Sequence, residues 1–402
     1  MSMTSGELTL RPARAAFIIA LASCAAPDAP HAGAVADVDT LPSGAISVMS
    51  SGPSGWADTN GWRLVEAARI ESDFGTEGEL VAPGSVALGD GGTVYVADTK
   101  PAAIKVYTPD GKFVRSIGRE GEGPGEFRVA FLGLHGASLV VHDPQLARTT
   151  VFDTAGTLVR SWSSTCCVWA PMAVDGNGLI YLPALSRDPE ANGSLYTRYS
   201  LAGDLVDTVG VPPRADAKRW ELETGGRRRL SSAIPFAPML HTAFDPAGGF
   251  VYGWSGEYRL VSTRTGTDTV QLFGRFWTPP PIRNELREEA VADALRWMGG
   301  RGWDDAALRR VVKLSDVPST GPAFELIMVD LAGNRWVRLP FSEDGAPGVF
   351  DVFDSSGVYL GAVPQPRGSS GRSRAWSADG LVVLNEDRDG LPIITRFRID
   401  KP

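Results

Sequence analysis

The chain has 402 residues, of which 43% are apolar and 21% charged, and a formal charge of −8. That apolar share is ample for a core and the charge is ordinary for a globular protein, but an acidic chain lacks the basic footprint of a general nucleic-acid surface, so no nucleic-acid partner is expected. The 46 glycines and 29 prolines imply many turns.

The chain opens as an export signal. Arg11 and Arg14 make a basic start, and the apolar run AAFIIALA from Ala15 to Ala22 is too short to span a bilayer but fits the apolar core of a signal peptide. LASC, ending at Cys24, resembles a bacterial lipobox: Leu21, then small Ala22 and Ser23, then Cys24. The resemblance implies removal of residues 1–23, lipidation of Cys24 and a membrane contact through that lipid. Ala25 after the Cys, by resemblance to Gram-negative lipoproteins, directs the chain to the outer membrane, facing periplasm or exterior. Residues 24–60 are rich in Ala, Pro, Gly, Ser and Asp without a sustained period, so they are expected to form a flexible tether, with His31 solvated in it.

The remaining 61–402 is expected to form one all-β domain, because the sequence repeats. GTVYVADTKPAAIKVYTPDGKFVRSIG from Gly92 and ASLVVHDPQLARTTVFDTAGTLVRSWS from Ala137 align at an offset of 45: Val96, Asp98, Val106, Gly111, Val114 and Arg115 fall on Val141, Asp143, Val151, Gly156, Val159 and Arg160. Further units start at Gly178, Gly248, Gly333 and Asp379. Each holds short alternating strands with turn residues between them, about four strands at a period of roughly 40–45 residues. Six such units suit a six-bladed β-propeller. The last ends one strand short, near Ile399, and WRLVEAARIES from Trp62 has no unit of its own. It is expected to complete the last blade, which would leave few open sheet edges.

GREGEGPGEF, from Gly118 to Phe127, has the glycines of a phosphate loop. It precedes a strand rather than a helix, carries three glutamates that would repel phosphate, and lacks a following Lys-Ser or Lys-Thr. The Asp spacing of a calcium loop is also missing. The stretch is therefore expected to link one blade to the next, with its glutamates facing solvent. Together with VYVAD, VYTPDG, VFDTAG and VDGNGLIY, it resembles the NHL-repeat six-bladed propellers over roughly 60–400, most strongly over 80–210. It departs from them where RVAF follows GPGEF in place of a Pro, and only the first interblade loop keeps the Gly-rich form.

Two insertions interrupt the period. Residues 211–236 carry Arg227, Arg228 and Arg229, read as a solvated loop or a contact for phosphate or carboxylate. Residues 279–316 are expected to be helical, with Ile282, Leu286, Ala290, Ala294 and Trp297 at helical spacing and Asp304 as an N-cap; they pack over a propeller face or act as a lid. Cys166 and Cys167 are adjacent. A strained vicinal disulfide and two buried or partly buried free thiols both fit, the thiols being preferred, and no Cys-x-x-Cys partner supports zinc.

No catalytic signature stands out. His135, His142 and His241 do not fall on equivalent blade positions, and Asp98 and Asp143 recur with the repeat, as turn caps do. Neither a Gly-x-Ser-x-Gly elbow nor a His-Glu-x-x-His motif occurs. No catalytic residue, metal or cofactor is assigned, and a monomer is expected. Trp162, Trp169, Trp254, Trp277 and Trp303 belong to blade cores or to a ligand groove. The leading expectation is a lipid-anchored module binding a protein, peptide or glycan. The alternative is a metal-dependent hydrolase or lyase at the channel mouth, similar to lactonase-like or amidating-lyase-like propellers. An apolar or merely polar channel favours binding. Three or four converging inward carboxylates, Asn or His favour the enzyme.

Overall fold

The computed structural model describes residues 35–52, 54–56, 61–185, 194–211, 218–223, 229–300, 302–340, 348–369, 371, 373–378 and 380–401. Cys24, His31, Arg227, Arg228 and the Arg229 side chain lie outside them.

Period-two alternation becomes four-stranded antiparallel sheets, one per repeat unit, over residues 83–117, 131–163, 173–211, 240–275, 326–364 and 373–400. We call these blades 1 to 6; the chain is a six-bladed β-propeller. Apolar residues on the two faces of each sheet bury against the neighbouring blades. Leu132, Leu139 and Val141 of blade 2, for example, share a cluster with Ala97, Ile104 and Val106 of blade 1.

The turn that joins the first two strands of several blades has one chemistry. In blade 5 the amides of Ala332 and Asn334 donate to Asp330 Oδ1 (3.0 and 2.9 Å), and Gly333 closes the turn at φ +82°, a conformation costly to any residue with a Cβ. Asp175 does the same in blade 3 through the Asn177 and Leu179 amides, and Asp245 of blade 4 accepts from the Ala247 amide alone.

Asp98 and Asp143 do a second structural job. The Val81 and Ala82 amides donate to Asp98 (both 2.8 Å), as does the Lys100 amide (3.2 Å). The Arg128 and Val129 amides donate to Asp143 Oδ2, and those of Gln145 and Leu146 to its Oδ1. Each buried carboxylate thus ties the segment entering its blade to the turn after the second strand. In blade 4 the wholly buried Ser255 takes this place, its hydroxyl accepting from the Met239 amide (2.9 Å).

GREGEGPGEF runs between blades 1 and 2, as a link should. Arg119–Glu120 and Glu126–Phe127 pair in parallel, and Phe127 is buried. Gly118 sits at φ +67°, where a Cβ would overlap the Phe127 ring. Glu120 and Glu122 face solvent, but Glu126 does not. It folds back to accept from the Gly123 amide (2.8 Å) and to pair with Arg119 (2.8 Å). These contacts hold its carboxyl below the ordinary value, the amide bond contributing most.

The N-terminal segment supplies three strands, β1 (Val35–Thr40), β2 (Ile46–Ser51) and β3 (Arg63–Glu71). β3 pairs antiparallel with Pro392–Asp400 and completes blade 6. Leu64 and Ile70 point to opposite sides of it, into the clusters shared with blades 5 and 1. The closure is backed by a run of indoles. Trp56 stacks on Trp62 (5.6 Å), Trp62 lies against Trp336 of blade 5 (6.0 Å), and Trp336 lies against Trp376 of blade 6 (5.4 Å).

β1 and β2 fall inside the segment expected to be a tether. They form a hairpin, and β2 pairs in parallel with Gln271–Arg275, the outer strand of blade 4, extending that sheet to six strands. Val48 explains the order, since it is buried against Phe273 and its neighbours. The unpaired edge of blade 4 supplies the partner that the local sequence does not reveal.

Both insertions have structure. Arg219–Glu223 and Arg229–Ala233 form a hairpin in the first. The second holds α1 (Asn284–Gly299) and α2 (Asp305–Val311), with Asp304 capping α2 by accepting from the Ala307 amide (2.8 Å). The buried stripe of α1 differs from the expected one. Val291, Leu295 and Met298 face Trp220 and Ile234 of the hairpin, while Leu286 and Trp297 stay largely exposed. Both stripes have helical spacing, and the hairpin chooses between them. The Trp220 indole donates to Asp316 (3.1 Å), locking one insertion to the other.

Candidate functional site: the central channel

The inner strands of the six blades enclose a channel of about 840 Å³, widely walled by Leu132, Met172, Met328 and Trp376. Its lining comes from blade residues; among the described residues neither insertion contributes to the wall. Both insertions enter beside the ends where the inner strands of blades 4 and 5 begin, so the lid role assigned to 279–316 does not extend to forming the site itself.

The two ends of the channel differ. At the end of the inner strands lie Asp90, His135, Asp175 and Asp245. Of these, Asp175 accepts from two amides of its own turn and from the Tyr181 hydroxyl (3.2 Å). Asp245 accepts from the Ala247 amide and faces the Arg335 guanidinium (3.6 Å). The His135 Nδ1 meets the Asp175 carbonyl (3.2 Å). Asp175, Asp245 and His135 are thus already engaged in structure, and among the described residues no three His, Cys, Asp or Glu side chains converge to hold a metal ion.

Near the other end are His241, Glu325, Arg338 and Arg374. Glu325 pairs with Arg338 (3.1 Å), although burial raises the Glu325 carboxyl. His241 lies against Phe324 (5.5 Å); burial, with Arg338 nearby, pushes its imidazole down to about 4. Arg374 lines the channel itself, and burial, with Arg338 again nearby, lowers its guanidinium to about 10. His241 stands out in the sequence as a candidate, whereas Arg338 and Arg374 do not, because within its own unit each is an ordinary strand residue.

His142 is not in the channel. It is buried at the side of blade 2, its Nδ1 against the Thr149 hydroxyl (3.2 Å), and burial pushes it down to about 4. In the unfolded chain a histidine takes up its proton near pH 6.5. Between that value and 4 the unfolded state binds more protons than the folded state, so stability present above pH 6.5 is lost as pH falls. His142 and His241 are each expected to cost about 2 kcal/mol at pH 5. Urea unfolding at pH 7.5 and 5 checks this: His142→Asn should lose measurably less stability over that interval than the parent, and an equal loss would refute it.

Cys166 and Cys167 lie in the link between blades 2 and 3. Contrary to the expectation of buried thiols, both are exposed, and their sulfurs are within bonding distance. The link crosses the surface, where no blade face is available to cover them.

Fold and channel together define a six-bladed β-propeller whose channel wall holds Arg374 toward one end and Asp90, Asp175 and the Asp245–Arg335 pair toward the other. Residues 77–188 match the DUF5128 family, described as a 6-bladed beta-propeller. Solved structures similar to the chain include a member of the duf4221 family from Bacteroides vulgatus (12% identity, 85% of this chain and 99% of that chain, TM-score 0.43). Virginiamycin B lyase from Staphylococcus aureus is similar at 11% identity, 84% and 99% coverage and TM-score 0.39. The PQQ-bound aldose sugar dehydrogenase from Streptomyces coelicolor is similar at 11% identity, 85% and 99% coverage and TM-score 0.43. No curated protein matches the chain.

Proposed function

We infer that this chain is a cell-envelope binding module: a propeller held to a membrane by lipid on Cys24 that receives a ligand or protein partner on its rigid ring. The observation that carries the reading is the employment of Asp175 and Asp245. Both point toward the channel end, where a hydrolase or lyase would need free carboxylates, and both are committed to turns, a tyrosine or an arginine. The anchor rests on Arg11, Arg14, the short apolar run and LASC. Among the described residues no helix is long and apolar enough to cross a membrane. In an oxidising envelope Cys166 and Cys167 are held as a vicinal disulfide, and an outer-membrane address follows from Ala25.

Two measurements test the reading. Mass spectrometry of the native N-terminus should find a lipidated Cys24, and Cys24→Ala should move the protein from the membrane to the soluble fraction. An unmodified start elsewhere ends the anchor. Metal analysis of the purified protein should find no stoichiometric ion; a copurifying one would transfer the assignment to the hydrolase or lyase reading.

A further inference from the structure

The inner strands of blades 1, 2, 4, 5 and 6 share a rung at which a residue pairs with the middle of the second strand. The pairs are Val86 with Val96, Leu132 with Val141, Thr242 with Tyr252, Ile327 with Val337 and Arg374 with Val383. At this rung Val86, Leu132 and Ile327 pack onto the preceding blade. Blade 6 places a guanidinium there. Arg374 finds no hydrogen-bond or ion-pair partner among the described residues, although it stands in the channel wall and is shielded from water enough to disfavour its charge.

Its surroundings aggravate the cost. Arg338, in the second strand of blade 5, is close enough to repel it, and the carboxylate of Glu325 is already taken by Arg338. The group therefore holds two guanidiniums and one carboxylate, while His241 stays neutral at pH 7. One positive charge is left uncompensated. Arg374 is half-buried, so its donors are left to channel water, and a guanidinium without a protein partner in a channel wall is poised to receive an acceptor from outside the chain.

We propose that the channel is an anion-binding site in which Arg374 receives the carboxylate of an organic monoanion whose apolar body lies against Met172, Met328 and Trp376. This rests on the reading of the ring as a binding module and names its ligand class. The planar guanidinium matches a carboxylate with two parallel N–H donors. A single excess charge suits a monoanion, whereas a phosphate dianion would leave one negative charge beside Glu325. The acidic residues at the far end oppose a second anionic group.

Calorimetric titration of the intact protein with hexanoate tests the site, with hexanol, hexylamine and hexyl phosphate as comparisons. Hexanoate is expected to bind with a Kd on the order of 0.1 mM, and the other three about tenfold more weakly or not at all. Arg374→Lys should weaken hexanoate about tenfold by losing the planar fork, and Arg374→Met should abolish its heat. Thermal unfolding without ligand supplies an independent readout: Arg374→Met should raise Tm by about 2 °C, because it removes an unpaired, half-buried charge repelled by Arg338. No heat with hexanoate up to about 10 mM, equal binding of hexanol, tighter binding of hexyl phosphate, undiminished binding by Arg374→Met, or a fall in its Tm would each overturn the proposal. Failure here is separable from failure of the binding-module reading, which is decided by the Cys24 mass and the metal content.

Discussion

A chain lacking residues 1–72 will not fold cooperatively. β3 is the fourth strand of blade 6, and its loss opens the ring at the interface that the other blades close by simple succession. Leu64 and Ile70 are buried on opposite sides of the strand, against blades 5 and 1, and removing such a side chain typically costs about 2–5 kcal/mol. Trp62, wedged between Trp56 and Trp336, adds about 3–5 kcal/mol on the same scale. The sum reaches the whole stability of an ordinary domain, roughly 5–15 kcal/mol. The truncated chain should show no sigmoidal urea transition, and Leu64→Ala in the full chain should lower the parent's stability by about 3 kcal/mol. A chain starting at residue 53 loses only the added hairpin and should retain a cooperative transition at reduced stability. A cooperative transition in the 1–72 deletion would show that blade 6 does not need its fourth strand.

The second large effect is at Asp351. This carboxylate, fully buried in blade 5, lies 2.7 Å from the Arg275 Nε of blade 4 and accepts from the Tyr258 hydroxyl (2.6 Å). The guanidinium also rests over the Tyr359 ring, 4.5 Å from its centroid. Asp351→Ala leaves Arg275 with a half-buried charge and no counter-ion and strips the Tyr258 hydroxyl of its acceptor, so we expect a loss of about 3 kcal/mol. Asp351→Leu combined with Arg275→Met removes both charges and should recover most of it, since a buried pair is often replaceable by apolar residues of similar volume. Urea unfolding of Asp351→Leu, Arg275→Met and the double variant gives the coupling directly. If the double variant were as unstable as the sum of the singles, the pair would not be the source of the effect.

Much of the architecture is legible in the sequence. The six units, the turns and the strand from Trp62 are written in local signals: alternation at period two, Asp-x-x-Gly at a tight turn, and a missing strand at one terminus matched by an orphan strand at the other. The role of GREGEGPGEF followed from what comes after it, a strand rather than a helix. Glu126 escaped the expectation of a solvated side chain because its partners are the Gly123 amide and Arg119 of its own loop, brought near only once the loop is bent.

The rest depended on distance in space. Val35–Ser51 has the composition of a tether, and nothing within it announces the outer edge of blade 4, more than two hundred residues further on, which orders it. The buried face of α1 was chosen by a hairpin in another insertion. Arg338 and Arg374 belong to different blades and look unremarkable in each. The sequence by itself determined the blade count, the turn chemistry and the way the ring closes, because these arise from contacts within a unit or from one strand matching one vacancy. Only the tertiary structure decided which charges share the channel, because the ring brings six distant segments to one axis and burial there makes an unpaired charge costly.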